Sequence, residues 1–176
     1  MKVDSATPSS ADFERAVLKY LNEAYTLAQY LVRSEHDAQD IVQEAALRAF
    51  QHFGGFRGGD AKSWFLAIVR NCSYTWIERQ RNRRIIEDDG ELLSLVPDER
   101  EADERAIHSS ERAHIEAALG RLPVELREVI VLREIGGLSY KEISNVAGIP
   151  AGTVMSRLSR ARDRLADLLQ PSRGAQ

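Results

Sequence analysis

Cysteine is almost missing from this sequence: Cys72 stands alone among 176 residues, so no internal disulfide can form. No apolar run approaches the roughly 18–20 residues that a membrane-spanning helix needs. The first ten residues, MKVDSATPSS, have no apolar stretch behind their single lysine, so a secretory signal peptide is not expected. The expected setting is therefore soluble and cytoplasmic, without membrane insertion. Alternating runs of β-branched residues are also missing, which argues against a sheet. No glycine-rich phosphate loop and no nucleophile elbow occur. His108, Glu111 and His114 follow i, i+3, i+6 spacing, not the i, i+4 pair of zinc-binding helices, so no metal site is expected. Without a partner, Cys72 reads as a small buried hydrophobe. The chain is not expected to be an enzyme or to hold a cofactor.

What is present is charge, unevenly placed. The net charge is −3. Residues 1–84 carry 12 basic and 10 acidic side chains, residues 85–116 carry 3 and 11, and residues 117–176 carry 9 and 6. Two mildly basic blocks flank an acidic connector, and this asymmetry says more than the average. Apolar residues make up 43% of the chain, enough for a packed core.

The patterning is helical almost throughout, so the expected fold is all-α, with two small helical domains joined by an acidic flexible linker. Residues 1–10 are polar and expected to be disordered. A first amphipathic helix over about 11–32 places Phe13, Val17, Leu21, Leu27 and Leu31 on one side. Ser34 reads as an N-cap, paired with Asp37 at N3, for a second helix over about 35–51. Its inward positions would be Ile41, Ala45 and Phe50, with Asp40, Gln43, Glu44 and Arg48 on another face. A glycine-rich loop over 52–60 carries Phe53 and Phe56, both expected to be exposed. A third helix over about 61–83 opens apolar (Trp64, Phe65, Ile68, Val69) and ends in the basic run Arg79, Arg81, Arg83, Arg84. Residues 85–110 form the linker. The second domain spans 111–170, with helices over 111–120 and 123–135, the latter opened by Pro123, and then two more. Residues 171–176 are a tail.

The strongest local signal runs from Leu138 to Leu169. Ser139 lies three residues before Glu142, a capping box for a short helix whose inner face holds Tyr140, Ile143 and Ala147. Gly148 supplies a tight turn and Pro150 opens the next helix. That order is the helix-turn-helix, centred on about 140–159. At 100° per residue, Val154, Leu158, Ala161 and Leu165 must pack inward. Thr153, Met155, Ser156, Arg157, Ser159, Arg160 and Arg162 are left on the outer and flanking faces. Guanidinium groups can hold guanine or phosphate, and hydroxyls can reach either. An arginine-rich helix alone is more often a solvated bundle face; the cap, the glycine turn and Pro150 favour DNA.

Two separate segments then resemble one family. Residues 121–165, RLPVELREVIVLREIGGLSYKEISNVAGIPAGTVMSRLSRARDRL, resemble domain 4 of the extracytoplasmic-function (ECF) group of sigma-70 factors. Residues 37–50, DAQDIVQEAALRAF, resemble the polymerase-binding segment of domain 2. AKSWFLAIVRN at 61–71 and the arginines after it resemble the segments that read and melt the −10 element. The resemblance covers about 11–84 and 111–169.

This resemblance implies an alternative sigma factor that binds core RNA polymerase at the β′ clamp and β flap, directs it to −10 and −35 promoter elements, and is controlled by an anti-sigma factor. Asp37, Asp40, Gln43, Glu44 and Arg48 would then face the polymerase. Phe53, Phe56, Arg57, Trp64, Arg70, Asn71, Tyr74 and Arg79 would serve −10 binding and melting, with Trp64 open between a core position and a base contact. A base stacked on an aromatic ring gains about 1–3 kcal/mol, comparable with the few kcal/mol of unstacking. The acidic linker suits a basic RNA-exit channel, and equally suits a plain solubilising tether. Met155 stands where the family often has Lys or Arg, which loses one expected charge at the −35 site and makes its base preference harder to transfer; Thr75 stands where Asp is common in the third helix, which puts the usual local polar contact there in doubt.

A helix-turn-helix repressor would also explain residues 121–169. It leaves DAQDIVQEAALRAF and the aromatic loop without a role.

Overall fold

The computed structural model describes residues 10–87 and 108–170; the expected N-terminal disorder, most of the linker and the tail lie outside them. The described residues are helical, without a strand. The elements are α1 (Ser10–Val17), a 3-10 turn (Leu18–Tyr20), α2 (Leu21–Val32), α3 (Glu35–His52), a second 3-10 turn (Phe53–Gly55) and α4 (Ala61–Glu87). After the linker come α5 (His108–Gly120), α6 (Val124–Ile130) with a π-helical extension (Val131–Ile135), α7 (Tyr140–Ala147) and α8 (Ala151–Leu169).

In the first unit α2, α3 and α4 pack on one another. The single helix expected over 11–32 is instead broken at Leu18–Tyr20, and Tyr20 leaves helical geometry (φ −102°, ψ 12°). The break lets Phe13 and Val17 bury on a different bearing from Leu27 and Leu31. Arg33 ends α2 in the left-handed region (φ 60°), its N–H bonded to the Gln29 carbonyl at 2.8 Å. Ser34 caps α3, accepting the Asp37 N–H at 3.3 Å. The Asp37 carboxylate accepts the Trp76 indole N–H at 3.2 Å, which ties α3 to α4.

In the second unit α5, α6 and α7 each pack on α8. Pro123 and Pro150 sit one position ahead of the first helical residue, as N-caps with extended ψ (142° and 148°). Ser139 and Glu142 form a complete reciprocal capping box. Gly148 ends α7 at φ 66°, a conformation that glycine adopts without steric cost. Ile143, Val146, Ala147, Val154, Leu158 and Ala161 close the helix-turn-helix core.

The two units touch. α4 packs on α7 and α2 on α6, and the buried apolar residues form one continuous cluster from Phe13 to Ala161. Leu27 and Leu66 of the first unit meet Val131, Leu132 and Leu138 of the second around a small cleft of about 120 Å³.

Candidate nucleic-acid interface

The outward side of α8 is an open polar surface of the second unit. Met155 (57% exposed), Ser156, Ser159, Arg160 and Arg162 face solvent, while Thr153 and Arg157 are half-buried at its edges. Ser156 donates to the Thr153 carbonyl at 3.0 Å, a local bond that leaves the hydroxyl's lone pairs outward. Among the described residues, one long contact holds Arg160, from Nε to the Ser156 carbonyl at 3.4 Å. Arg162 is tied to Glu134 at 2.7 Å. α8 thus presents hydroxyls and guanidiniums from a helix whose other side is locked by Val154, Leu158 and Ala161.

On the first unit, α3 carries a continuous polar stripe. Asp40, Gln43, Glu44 and Arg48 are exposed at helical neighbour spacing, with Leu47 (53% exposed) among them. Arg48 pairs with Glu44 at 2.6 Å, and His36 lies 3.5 Å from Asp40. Asp37 is not part of this open stripe; it is half-buried against Trp76.

The aromatic loop departs from expectation. Phe53 is only 7% exposed, because its ring stands edge-on to Phe13 (5.3 Å between centroids) and stacks with Phe56 (5.8 Å). Phe56 and Trp64 are half-buried, 4.9 Å apart. The flanking glycines free the backbone, yet the rings still find each other. Phe50, expected inward, is 49% exposed and touches Phe13 only with its edge. Phe65 is the fully buried aromatic of α4, which leaves neighbouring Trp64 between core and surface. Arg57 and Arg79 are exposed, as are Asn71 and Thr75; Thr75 bonds back to the Asn71 carbonyl at 2.9 Å.

Arg70 and Tyr74, one turn apart on α4, do not face open solvent. Both hold the carboxylate of Glu128 on α6: Arg70 through Nε in an ion pair, and Tyr74 through its hydroxyl at 2.9 Å. The Arg70 guanidinium also lies 4.2 Å from the centre of the Tyr74 ring. Glu128 is fully buried. Burial pushes its carboxyl up, against the downward pull of Arg70 and Tyr74. The Tyr74 hydroxyl is pushed up as well, by burial first and by Glu128 second.

The adjacent residue, Arg127, is buried and reaches the other way. Its guanidinium donates to the Gly120 carbonyl at 3.0 Å and the Leu31 carbonyl at 3.2 Å, at the C-terminal ends of α5 and α2. Those ends carry unsatisfied carbonyls and the negative pole of each helix. Burial pulls Arg127 down to about 10, so it stays charged at neutral pH. Arg33 lies flat on Gly120, where a Cβ would sit 2.6 Å from its guanidinium carbon. Lys62 adds a bond to the Gly136 carbonyl at 3.3 Å.

Nothing in the motif reading singled out Glu128 or Arg127. A signal was present: Val124, Glu128 and Leu132 share one i, i+4, i+8 stripe, so a carboxylate sits in an apolar row.

A two-unit all-helical fold with a helix-turn-helix in its second unit has the architecture of the helix-turn-helix transcription proteins. The comparisons make this specific: residues 16–83 match the family model Sigma-70 region 2, and residues 112–165 match Sigma-70, region 4. The chain is similar to the ECF RNA polymerase sigma factor SigE of Mycolicibacterium smegmatis, with 36% identity over 94% of this chain and 63% of that protein. It is also similar to the RNA polymerase sigma-H factor of Pseudomonas aeruginosa, with 34% identity over 90% of this chain and 86% of that one. Among solved structures, it resembles the sigma factor RpoE in complex with the anti-sigma factor NepR from Bartonella quintana (TM-score 0.72, 30% identity, 92% of this chain and 99% of that one). It also resembles CnrH in complex with the cytosolic domain of CnrY (TM-score 0.65, 25% identity, 94% and 92%). This chain belongs to the sigma-70 family of RNA polymerase sigma factors, in the ECF group. Its members are transcription initiation factors and not enzymes. Among the described residues no helix is long and apolar enough to cross a membrane.

Proposed function

We propose that this chain works in the cytoplasm as an alternative sigma factor, bringing core RNA polymerase to promoters with defined −10 and −35 elements and promoting melting there. Residues 11–84 form the polymerase and −10 unit, and residues 111–170 the −35 unit. The observation that carries the reading is the open face of α8, the recognition helix that follows the capped α7 and its Gly148 turn, with Ser156, Ser159 and Arg160 outward. The α3 stripe supports the polymerase contact: Leu47 is an exposed apolar centre with Asp40, Gln43, Glu44 and Arg48 around it, the usual anatomy of a protein interface. The β′ clamp is its proposed partner, with the β flap serving the second unit.

Arg57, Arg70, Asn71, Tyr74 and Arg79 are the proposed −10 contacts on and before α4, with Phe56 and Trp64 as stacking surfaces. Phe53 supports those two rings from below. An anti-sigma protein is the proposed controlling partner, since the related RpoE structure is a complex with the anti-sigma factor NepR. The test is run-off transcription with purified core polymerase on a promoter library. Sequence-selective transcripts that need this chain support the reading; tight promoter binding by the chain alone, without core binding, contradicts it.

A further inference from the structure

The seam between the two units is where the structure adds most. It is built from two adjacent charges on α6 that point apart. Arg127 plugs the carbonyl ends of α2 and α5, and Glu128 enters the side of α4. Glu128 meets the two residues that the reading above assigns to the −10 strand, Arg70 and Tyr74. A carboxylate accepting from a guanidinium and a phenol carries the same single negative charge as a DNA phosphodiester and, like it, offers two acceptor oxygens.

We propose that Glu128 is an internal stand-in for a DNA phosphate: in the free chain it occupies Arg70 and Tyr74, and so keeps part of the −10 surface covered by the −35 unit until the units separate. The proposal rests on the −10 assignment of Arg70 and Tyr74.

The closed arrangement cannot serve a promoter. Elements about 25 base pairs apart are roughly 85 Å apart along B-DNA at 3.4 Å per step. A compact chain of this length has a radius of gyration of only about 16 Å. The units must therefore part when the protein works, and the seam is suited to parting. Its apolar half, Leu27 and Leu66 against Val131, Leu132 and Leu138, encloses an open cleft and is not fully packed. Its charged half is a buried pair, which fixes geometry more than it stabilises, because desolvation offsets most of the attraction. Removing one partner, in contrast, leaves the other charge buried and unpaired.

The test uses the full chain with donor and acceptor dyes on Glu78→Cys and Asp163→Cys, both exposed, in a Cys72→Ala background. Glu128→Gln and Arg70→Gln should each raise the open-to-closed ratio about tenfold. The double variant should open no further than the more open single, because both remove one interaction. Singles that leave the ratio unchanged, or effects that add fully in the double, overturn the proposal. Helix content by circular dichroism checks folding; if either single loses it, Tyr74→Phe gives the gentler version, with a smaller rise expected and no rise contradicting. A second arm measures binding of a fluorescent single-stranded −10 oligonucleotide to the free chain. Glu128→Gln should tighten it and Arg70→Gln should not. Opening without tighter binding overturns the covering role and the −10 assignment together. Weaker −10 transcription from Arg70→Gln, with no opening in Glu128→Gln, leaves the assignment standing and removes the latch.

Discussion

Replacing Arg160 by alanine should separate recognition from folding on α8. The side chain is exposed, and among the described residues its one hydrogen bond is the long contact to the Ser156 carbonyl at 3.4 Å. Alanine is a better helix former than arginine, so the helix itself loses nothing. Any deficit is then a deficit in DNA binding. If Arg160 forms a bidentate contact to a base, about 1–3 kcal/mol is lost, or roughly 5- to 150-fold at the preferred −35 sequence and much less at others. Arg162 makes an instructive control. It must first leave Glu134, an exposed pair with about 0.2–1 kcal/mol at stake, so Arg162→Ala should cost less and act evenly across sequences. The assay is run-off transcription by the reconstituted holoenzyme on templates randomised at the −35 element, with products sequenced. A promoter profile unchanged by Arg160→Ala, with polymerase binding intact, would remove Arg160 from the reading surface.

Other expectations follow from the same geometry. Asp40→Ala combined with Glu44→Ala should weaken binding to core polymerase in a pull-down while leaving the thermal midpoint nearly unchanged, since both side chains are exposed. Leu158→Ala, at a fully buried position, should cost about 2–5 kcal/mol in chemical denaturation. At Gly148, where an added Cβ meets nothing within 4 Å, alanine should cost only the left-handed backbone, about 1–2 kcal/mol, and the same denaturation series reads it. Glu142 is held below the ordinary glutamate range by the Ser139 hydroxyl and backbone N–H. A depressed carboxylate contributes stability above its unfolded pKa and loses it as pH falls through the folded one. Ser139→Ala should therefore destabilise the protein at neutral pH and shrink its loss of stability between neutral and acid pH; an unchanged pH profile contradicts this.

Features governed by local chemistry were legible in the sequence. Ser34, Ser139 with Glu142, Gly148 and Pro150 act within a few residues, and the boundaries of α3, α7 and α8 lie close to where those residues put them. The all-helical class and the two family segments were legible for the same reason, being written in spacing and motif. Long-range competition was not legible. Nothing near Leu18–Tyr20 signals a break, because no glycine or proline marks it. Phe50 and Phe53 have opposite exposures from those expected, because Phe13, forty residues upstream, decides which ring is covered. The seam was hidden most completely: Arg70 and Tyr74 look like free DNA-facing groups until α6 brings Glu128 to them.

The central claim is that this chain confers promoter choice on polymerase. The most direct measurement is transcription by core polymerase alone and by core polymerase with this chain, on one library, followed by sequencing of the start sites. The account predicts a new set of starts, each preceded by a common pair of elements, that appears only with the chain and loses its −35 half with Arg160→Ala. Transcription no different from core alone, while the chain is folded and present in excess, would contradict it.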